Sequence, residues 1–189
     1  MSTAFKAIFL LAALSTYSRC HAQVNHDYLV LVTGSFEDIY GYKNQKGELT
    51  IPMGKYSICY TDTFRNYAMV LKPGIGMVAI NRQEKVMYKV FPFDNGPDDA
   101  SDGLFRIIEH GRIGYADAKN GRVVIAPQFA CAWPFEKGMA KVSNACKTVR
   151  EADGEHSSWQ STNWYYINKK GERIIASKPV NKRRKSTSR

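Results

Sequence analysis

The sequence has little of what catalytic and metal-binding domains depend on. It holds four histidines, four cysteines and no Cys-x-x-Cys pair. Zinc-ribbon and thioredoxin-type sites therefore lack their ligands and their redox couple. No Gly-x-Ser-x-Gly occurs, which removes the nucleophile-elbow hydrolases. Lys72-Pro73-Gly74-Ile75-Gly76 lacks the spacing of a phosphate-cradling loop. The clearest apolar run, Ala7 to Leu14, is far shorter than the roughly 20 residues a spanning helix needs. No stretch after residue 22 carries helical periodicity, so a helix bundle is excluded.

What is present begins with an export leader. Lys6 supplies a positive start, the apolar run follows, and Cys20 and Ala22 place small residues before Gln23. That grammar predicts signal cleavage between Ala22 and Gln23. Acylation at Cys20 is disfavoured because bulky Arg19 precedes it. The expected organisation is a signal at 1–22, a folding unit at 23–177 and a basic tail at 178–189, and the localisation is exported: periplasmic, cell-surface or secreted.

The chain has 27 Lys and Arg against 17 Asp and Glu, a net charge of +10. Six of the bases, including Lys182-Arg183-Arg184-Lys185, lie in the tail, which contains no acid. Residues 23–177 are near neutrality, with 19 bases and 17 acids. A sequence-specific nucleic-acid face is therefore not expected on the folded part. The tail is read as solvated, with phosphate or anionic-lipid binding as its alternative role. Cleavage leaves Cys59, Cys131 and Cys146. Export favours disulfides, and Cys131 with Cys146, 15 residues apart in one region, is the favoured pair. Cys59 is then the buried thiol.

The chain repeats itself. The clearest unit starts at Gly103-Leu104 and reaches Ile113-Gly114-Tyr115-Ala116-Asp117. A turn with Asn120-Gly121 follows, then Val124-Ile125-Ala126-Pro127-Gln128-Phe129. A first copy holds Tyr40-Gly41-Tyr42, Lys46-Gly47 and Ile51-Pro52; Phe64 precedes Ala68-Met69-Val70 there, as Phe135 precedes Ala140-Lys141-Val142. Ile75-Gly76-Met77 marks a second copy, and Trp164-Tyr165-Tyr166 with Gly171 a fourth. Anchors at Gly41, Gly76, Gly114 and Tyr165 give spacings of 35, 38 and 51 residues, the last lengthened by an insert at 147–162. Apolar positions alternate with period two, and Gly, Asn and Asp bound the runs. The fold class is therefore all-β: about four tandem antiparallel meander or hairpin units. Stacking covers faces that a single unit leaves bare. Closed and solenoid arrangements both remain open.

These residues resemble the WG-repeat (KWG-repeat) family, in particular its exported bacterial members. The third unit matches best, through Gly111-Arg112-Ile113-Gly114-Tyr115-Ala116-Asp117 and Ile125-Ala126-Pro127-Gln128-Phe129. The Trp that names the family is Tyr40, Ile75 and Ile113 in three copies, and Trp164 in the fourth. The resemblance implies a β-repeat scaffold, with Gly41, Gly76, Gly114, Tyr115, Asp117, Gly121, Pro127 and Gly171 as structural signature positions. It implies no reaction and no cofactor, and fold alone carries no function.

Candidate chemistry is thin. Glu155-His156 near Asp153 reads as a polar loop, as adjacent side chains in extended backbone point apart. His110 beside Glu109 reads as a turn residue. Asp94, Asp98, Asp99 and Asp102 lack the spacing of the helix-loop-helix calcium loop and read as an acidic turn. No catalytic, metal or cofactor-binding residue is assigned, and an enzyme would need polar groups converging from different units. Trp159, in the polar stretch Ser157 to Ser161, is expected to be an exposed anchor, with Trp164 beside it. The expected function is non-catalytic: a scaffold presenting loops to an envelope or extracellular protein or glycan.

Overall fold

The computed structural model describes residues 27–35, 39–151 and 157–175. The leader with its Ala22–Gln23 junction, the Asp153, Glu155 and His156 cluster, and the tail 178–189 lie outside the described residues. Among the described residues there is no helix, and every strand pairing is antiparallel. The first unit contains β1 (Leu29–Thr33), β2 (Tyr40–Lys43) and β3 (Leu49–Tyr56), prolonged by β4 (Ile58–Cys59), while β5 (Thr63–Phe64) returns to pair with β1. The second contains β6 (Tyr67–Lys72), β7 (Gly76–Asn81) and β8 (Val86–Val90). A small hairpin, β9 (Pro92–Phe93) and β10 (Gly96–Pro97), leads to the third. That unit is β11 (Leu104–Glu109), β12 (Arg112–Asp117) and β13 (Val123–Phe129), prolonged by β14 (Cys131–Ala132). The fourth is β15 (Met139–Ser143) and β18 (Tyr165–Asn168), interrupted by an inserted hairpin of β16 (Lys147–Arg150) and β17 (Ser157–Gln160). The sheets run in open order, β3-β2-β1-β5, β13-β12-β11-β8-β7-β6-β4 and β14-β15-β18, with no closed barrel.

One turn marks each unit. The side-chain carbonyl of Asn44 accepts from the amides of Lys46 and Glu48. Asn81 does the same for Gln83 and Lys85, and Asn168 for Lys170 and Glu172. Asp117 serves the third unit through Lys119 and Asn120, in a turn one residue longer that ends at Gly121. Such side-chain acceptors replace a backbone partner and set the turn. Gly47, Gly121 and Gly171 follow at φ between +72° and +86°, where glycine carries no steric penalty. At that place the second unit has Glu84, at φ +58°.

Counting back three residues from each turn acceptor gives Gly41, Val78, Gly114 and Tyr165. The strand register agrees: Tyr42 faces Ile51, Ala79 faces Tyr88 and Tyr115 faces Ile125, each followed by the same one-residue bulge. Gly76 is therefore not the second anchor. It is a hairpin glycine at φ +98° with open space around it, and Val78 stands where the signature glycine is expected. The family tryptophan position shifts with it, from Ile75 to Met77.

The exchange has a structural result. A Cβ on Gly114 would collide with the Ile125 carbonyl and lie 2.6 Å from the Pro127 nitrogen; one on Gly41 would lie 2.8 Å from the Ile51 carbonyl. At these glycines β3 and β13 bend across the middle strand, giving the irregular registers of Tyr40 with Tyr56 and Ile113 with Phe129. Val78 forbids that approach. Opposite it β8 keeps regular register, Val78 with Lys89, and goes on to pair with β11.

The units stack, and each core lies between two neighbours. Tyr42 and Ile51 of the first unit share a buried cluster with Ala68, Val70, Val78 and Ile80 of the second. Ala79 and Tyr88 pack with Phe105, Ile107 and Ala116 of the third. Tyr115 and Ile125 pack with Ala140, Val142 and Ile167 of the fourth. Period two makes this possible, since one face of each strand looks back and the other forward. Phe64 and Phe135 fill matching places, edge-on to Tyr42 at 5.5 Å and to Tyr115 at 4.7 Å.

Candidate binding cleft

The inserted departure from the repeat grammar walls a concavity. The inserted hairpin pairs Lys147 with Gln160 and Thr148 with Trp159. Its base is fastened twice. Cys146, just before β16, is disulfide-bonded to Cys131 on β14, with Cα atoms 6.2 Å apart. The hydroxyls of Ser143 and Ser161 lie 2.8 Å apart and both reach the Ala145 carbonyl. Beneath the hairpin opens a cleft of about 1130 Å³ whose lining includes Arg112, Asn144, Trp159, Gln160, Asn163 and Trp164.

Each wall has a physical cause. Asn144 accepts from the Tyr165 hydroxyl at 3.1 Å through its side chain, while its backbone carbonyl accepts from Arg112 at 3.1 Å. The Asn163 amide donates to the Ser161 hydroxyl, which fixes the bend before β18. Lys141 places its ammonium 5.0 Å from the Trp164 ring centre, a cation–π contact that holds the indole. The cleft thus combines amide and hydroxyl groups, which both donate and accept, with aromatic surface and two cations, the Arg112 guanidinium and the Lys147 ammonium.

Trp159 departs from the expectation of an exposed anchor. It is half-buried, edge-on to Phe91 at 5.9 Å and to Trp133 at 5.7 Å. The hairpin packs against aromatic residues of two connecting segments remote in sequence, Phe91 before β9 and Trp133 after β14, which sequence position did not disclose. Trp133 is the exposed member, at 46%. Trp164 is half-buried on the cleft wall.

The remaining candidates go to structural tasks. Asp98 pairs with Arg106 in the interior, and Asp102 accepts from the Gly138 amide. These two acids are committed to protein partners. Among the described residues no group of three or more His, Cys, Asp or Glu is placed to hold a metal. His110 occupies a tight turn at φ +49°. The Pro127 nitrogen lies at the Gly114 crossing, and a Cβ on Gly121 would touch the Tyr67 ring. Cys59 is a buried free thiol, pushed up to about 11 by burial and partly restrained by the Tyr42 hydroxyl. Burial likewise raises Tyr42 and Tyr115, whose hydroxyls donate to the carbonyls of Thr61 at 2.8 Å and Trp133 at 2.7 Å.

Sequence reasoning missed Arg106. Its strand position corresponds to Leu31, Met69 and Lys141, each paired with the residue two before its turn acceptor. A charge at such a position, in a strand as apolar as Leu104-Phe105-Arg106-Ile107-Ile108, was the available signal.

No helix of the described residues is long and apolar enough to cross a membrane. No curated protein and no solved structure matches the chain. Residues 113–144 match the family model described as the WG containing repeat. That segment runs from β12 to β15 and includes the Gly114 crossing, the Asp117 turn and Phe135. The third unit, with the first strand of the fourth, is thus similar to the WG containing repeat, and the match covers neither the first unit nor the second.

Proposed function

We propose that the chain is an exported, non-catalytic interaction module. Its rigid repeat stack presents the cleft beneath the β16–β17 hairpin to a protein or glycan of the envelope or extracellular space. The observation that carries this reading is the placement of the cleft: the insert leaves the repeat pattern, is fastened by a disulfide and a serine pair, and walls a concavity of about 1130 Å³. Binding loops on a rigid scaffold are a recurrent arrangement. The leader grammar supports export, and a disulfide suits an oxidising compartment.

The test is affinity capture from envelope extract with 23–189, 23–177 and a Gln160→Ala/Asn163→Ala variant as parallel baits, alongside a glycan array. A discrete protein or glycan retained by the first two and lost from the variant supports the cleft. Retention by the longer bait alone, released by salt, would assign binding to the basic tail. Turnover of a retained ligand would overturn the non-catalytic reading.

A further inference from the structure

Among the described residues the forward face of the fourth unit is bare. In the first three units the residue two before the turn acceptor is fully covered by the next unit: Tyr42 at 0%, Ala79 at 0% and Tyr115 at 1% exposure. Its counterpart in the fourth, Tyr166, is 50% exposed. Ile51, Tyr88 and Ile125 are buried opposite those residues, whereas Ile175, at the same offset from Tyr166 as Ile51 from Tyr42, is 86% exposed. The backward face of the fourth unit, Ala140, Val142 and Ile167, is buried as expected. The asymmetry therefore belongs to the missing neighbour and not to a loose strand pair.

Register assembles the bare face. The Trp133 amide donates to the Lys141 carbonyl, Lys141 faces Tyr166, and the Ile174 amide donates to the Tyr166 carbonyl. Trp133, Lys141, Tyr166 and Ile174 thus form one row across the strands, with Met139 two residues from Lys141 on the same side. Four of the five are large apolar residues exposed by 37% to 50%. A concavity of about 690 Å³ lies along this row, with Lys137 and its ion-pair partner Glu136, 3.3 Å apart, at its margin. Terminal repeats of a soluble stack carry a polar outer face, and the opposite end does so only in part, with Leu49 53% exposed beside Lys43. There Lys43 occupies the place of Ile80, Ala116 and Ile167.

Charge narrows the occupant. Residues 176–189 contain no aromatic, leucine, isoleucine or methionine, and they carry six bases without an acid. They can supply neither a counterpart of Phe64 and Phe135 nor a partner for Lys141. A second copy added head to tail would press Lys43 onto Lys141, and a face-to-face pair would oppose Lys141 to itself. We propose that this face docks a strand or hairpin of a different protein, one that alternates small or branched apolar residues and carries acidic side chains at its rim. Its apolar residues take the place that Ala68, Val70, Val78 and Ile80 take over Tyr42, and its acidic side chains meet Lys141. This surface adds to the cleft and is tested apart from it.

The probe is a labelled hairpin peptide spanning residues 67–81 of this chain with Lys72→Glu, a position that register places at the rim of its Ala68, Val70, Val78 and Ile80 face. A second peptide keeps Lys72 and is the basic hairpin. Binding to the purified full chain is followed by fluorescence anisotropy. The expected result is saturable binding of the acidic hairpin, weakened roughly tenfold by Tyr166→Ser. Lys141→Glu should reverse the preference toward the basic hairpin, and Gln160→Ala in the cleft should leave binding unchanged. Tyr166 is exposed, so Tyr166→Ser keeps the fold, which a thermal melt verifies. Absence of saturable binding, or equal binding by Tyr166→Ser, overturns the proposal. So does Tyr166-dependent binding of polygalacturonate or phosphatidylglycerol vesicles with none of the hairpin.

Discussion

Asp98 and Arg106 meet carboxylate to guanidinium inside the third unit, with side chains only 3% and 4% exposed. Asp98 also accepts from the Arg106 backbone amide at 2.8 Å, and the guanidinium donates to the Ala132 carbonyl and lies 4.0 Å from the Phe91 ring centre. One ion pair thus ties the β9–β10 hairpin, β11 and β14 together. Breaking a buried pair on one side leaves the other charge uncompensated, at a cost of about 3–5 kcal/mol. Asp98→Ala should lower stability by that amount in urea unfolding. An Asp98→Ala/Arg106→Met double variant should recover a large part of it. Equal losses in the single and double variants would show that the charge itself was not the issue.

Glycine substitutions should separate by environment. Gly114→Ala forces backbone apart and should cost at least about 3 kcal/mol, the upper end of overpacking penalties. Gly76→Ala meets no atom and carries only the left-handed φ, about 1–2 kcal/mol. If both cost the same in thermal melts, close approach is not the reason for the signature glycine.

The repeat grammar was legible because it rests on local chemistry. Alternation around Tyr115, the turn at Asp117 and the correspondence of Phe64 with Phe135 all follow from short-range sequence. The anchor at Gly76 was misplaced because a glycine two residues away drew the alignment. Only the turn bond of Asn81 and the register of Ala79 identify Val78. Trp159 departs from its expectation for a different reason: Phe91 and Trp133, which cover it, come from connecting segments far away in sequence. Asp98 and Arg106 likewise met only once the fold brought them together.

Alkaline pH should destabilise the protein. The Cys59 thiol rises from 9.0 to about 11 on folding, and burial also raises Tyr42, Tyr56, Tyr88 and Tyr115. A raised value means the folded state holds its proton longer than the unfolded chain. The stabilisation is complete below pH 9 and is lost as pH climbs through the folded values. Melting temperature should therefore fall steadily above about pH 9, in line with the thiol reference value. Cys59→Ala should flatten the first part of that fall, and a flat profile to pH 11 would contradict it.

Reduction should act locally first. The Cys131–Cys146 bridge closes a loop of 15 residues, which in the chain-entropy account is worth about 3 kcal/mol. Dithiothreitol should raise amide exchange in 144–163 before it raises exchange in β6 and β7. Uniform acceleration across all units would mean that the bridge holds the whole stack.

Because Tyr42, Ala79 and Tyr115 each find their cover in the following unit, no repeat owns a complete interior. Such a chain behaves as a row of dependent neighbours, in which injury at one interface passes to the next and fades with distance. The exposed end is then also the weak end. Whatever settles on Tyr166 would tighten the fourth unit most, the third less, and the first hardly at all, so that occupancy is written into the molecule as a gradient of rigidity.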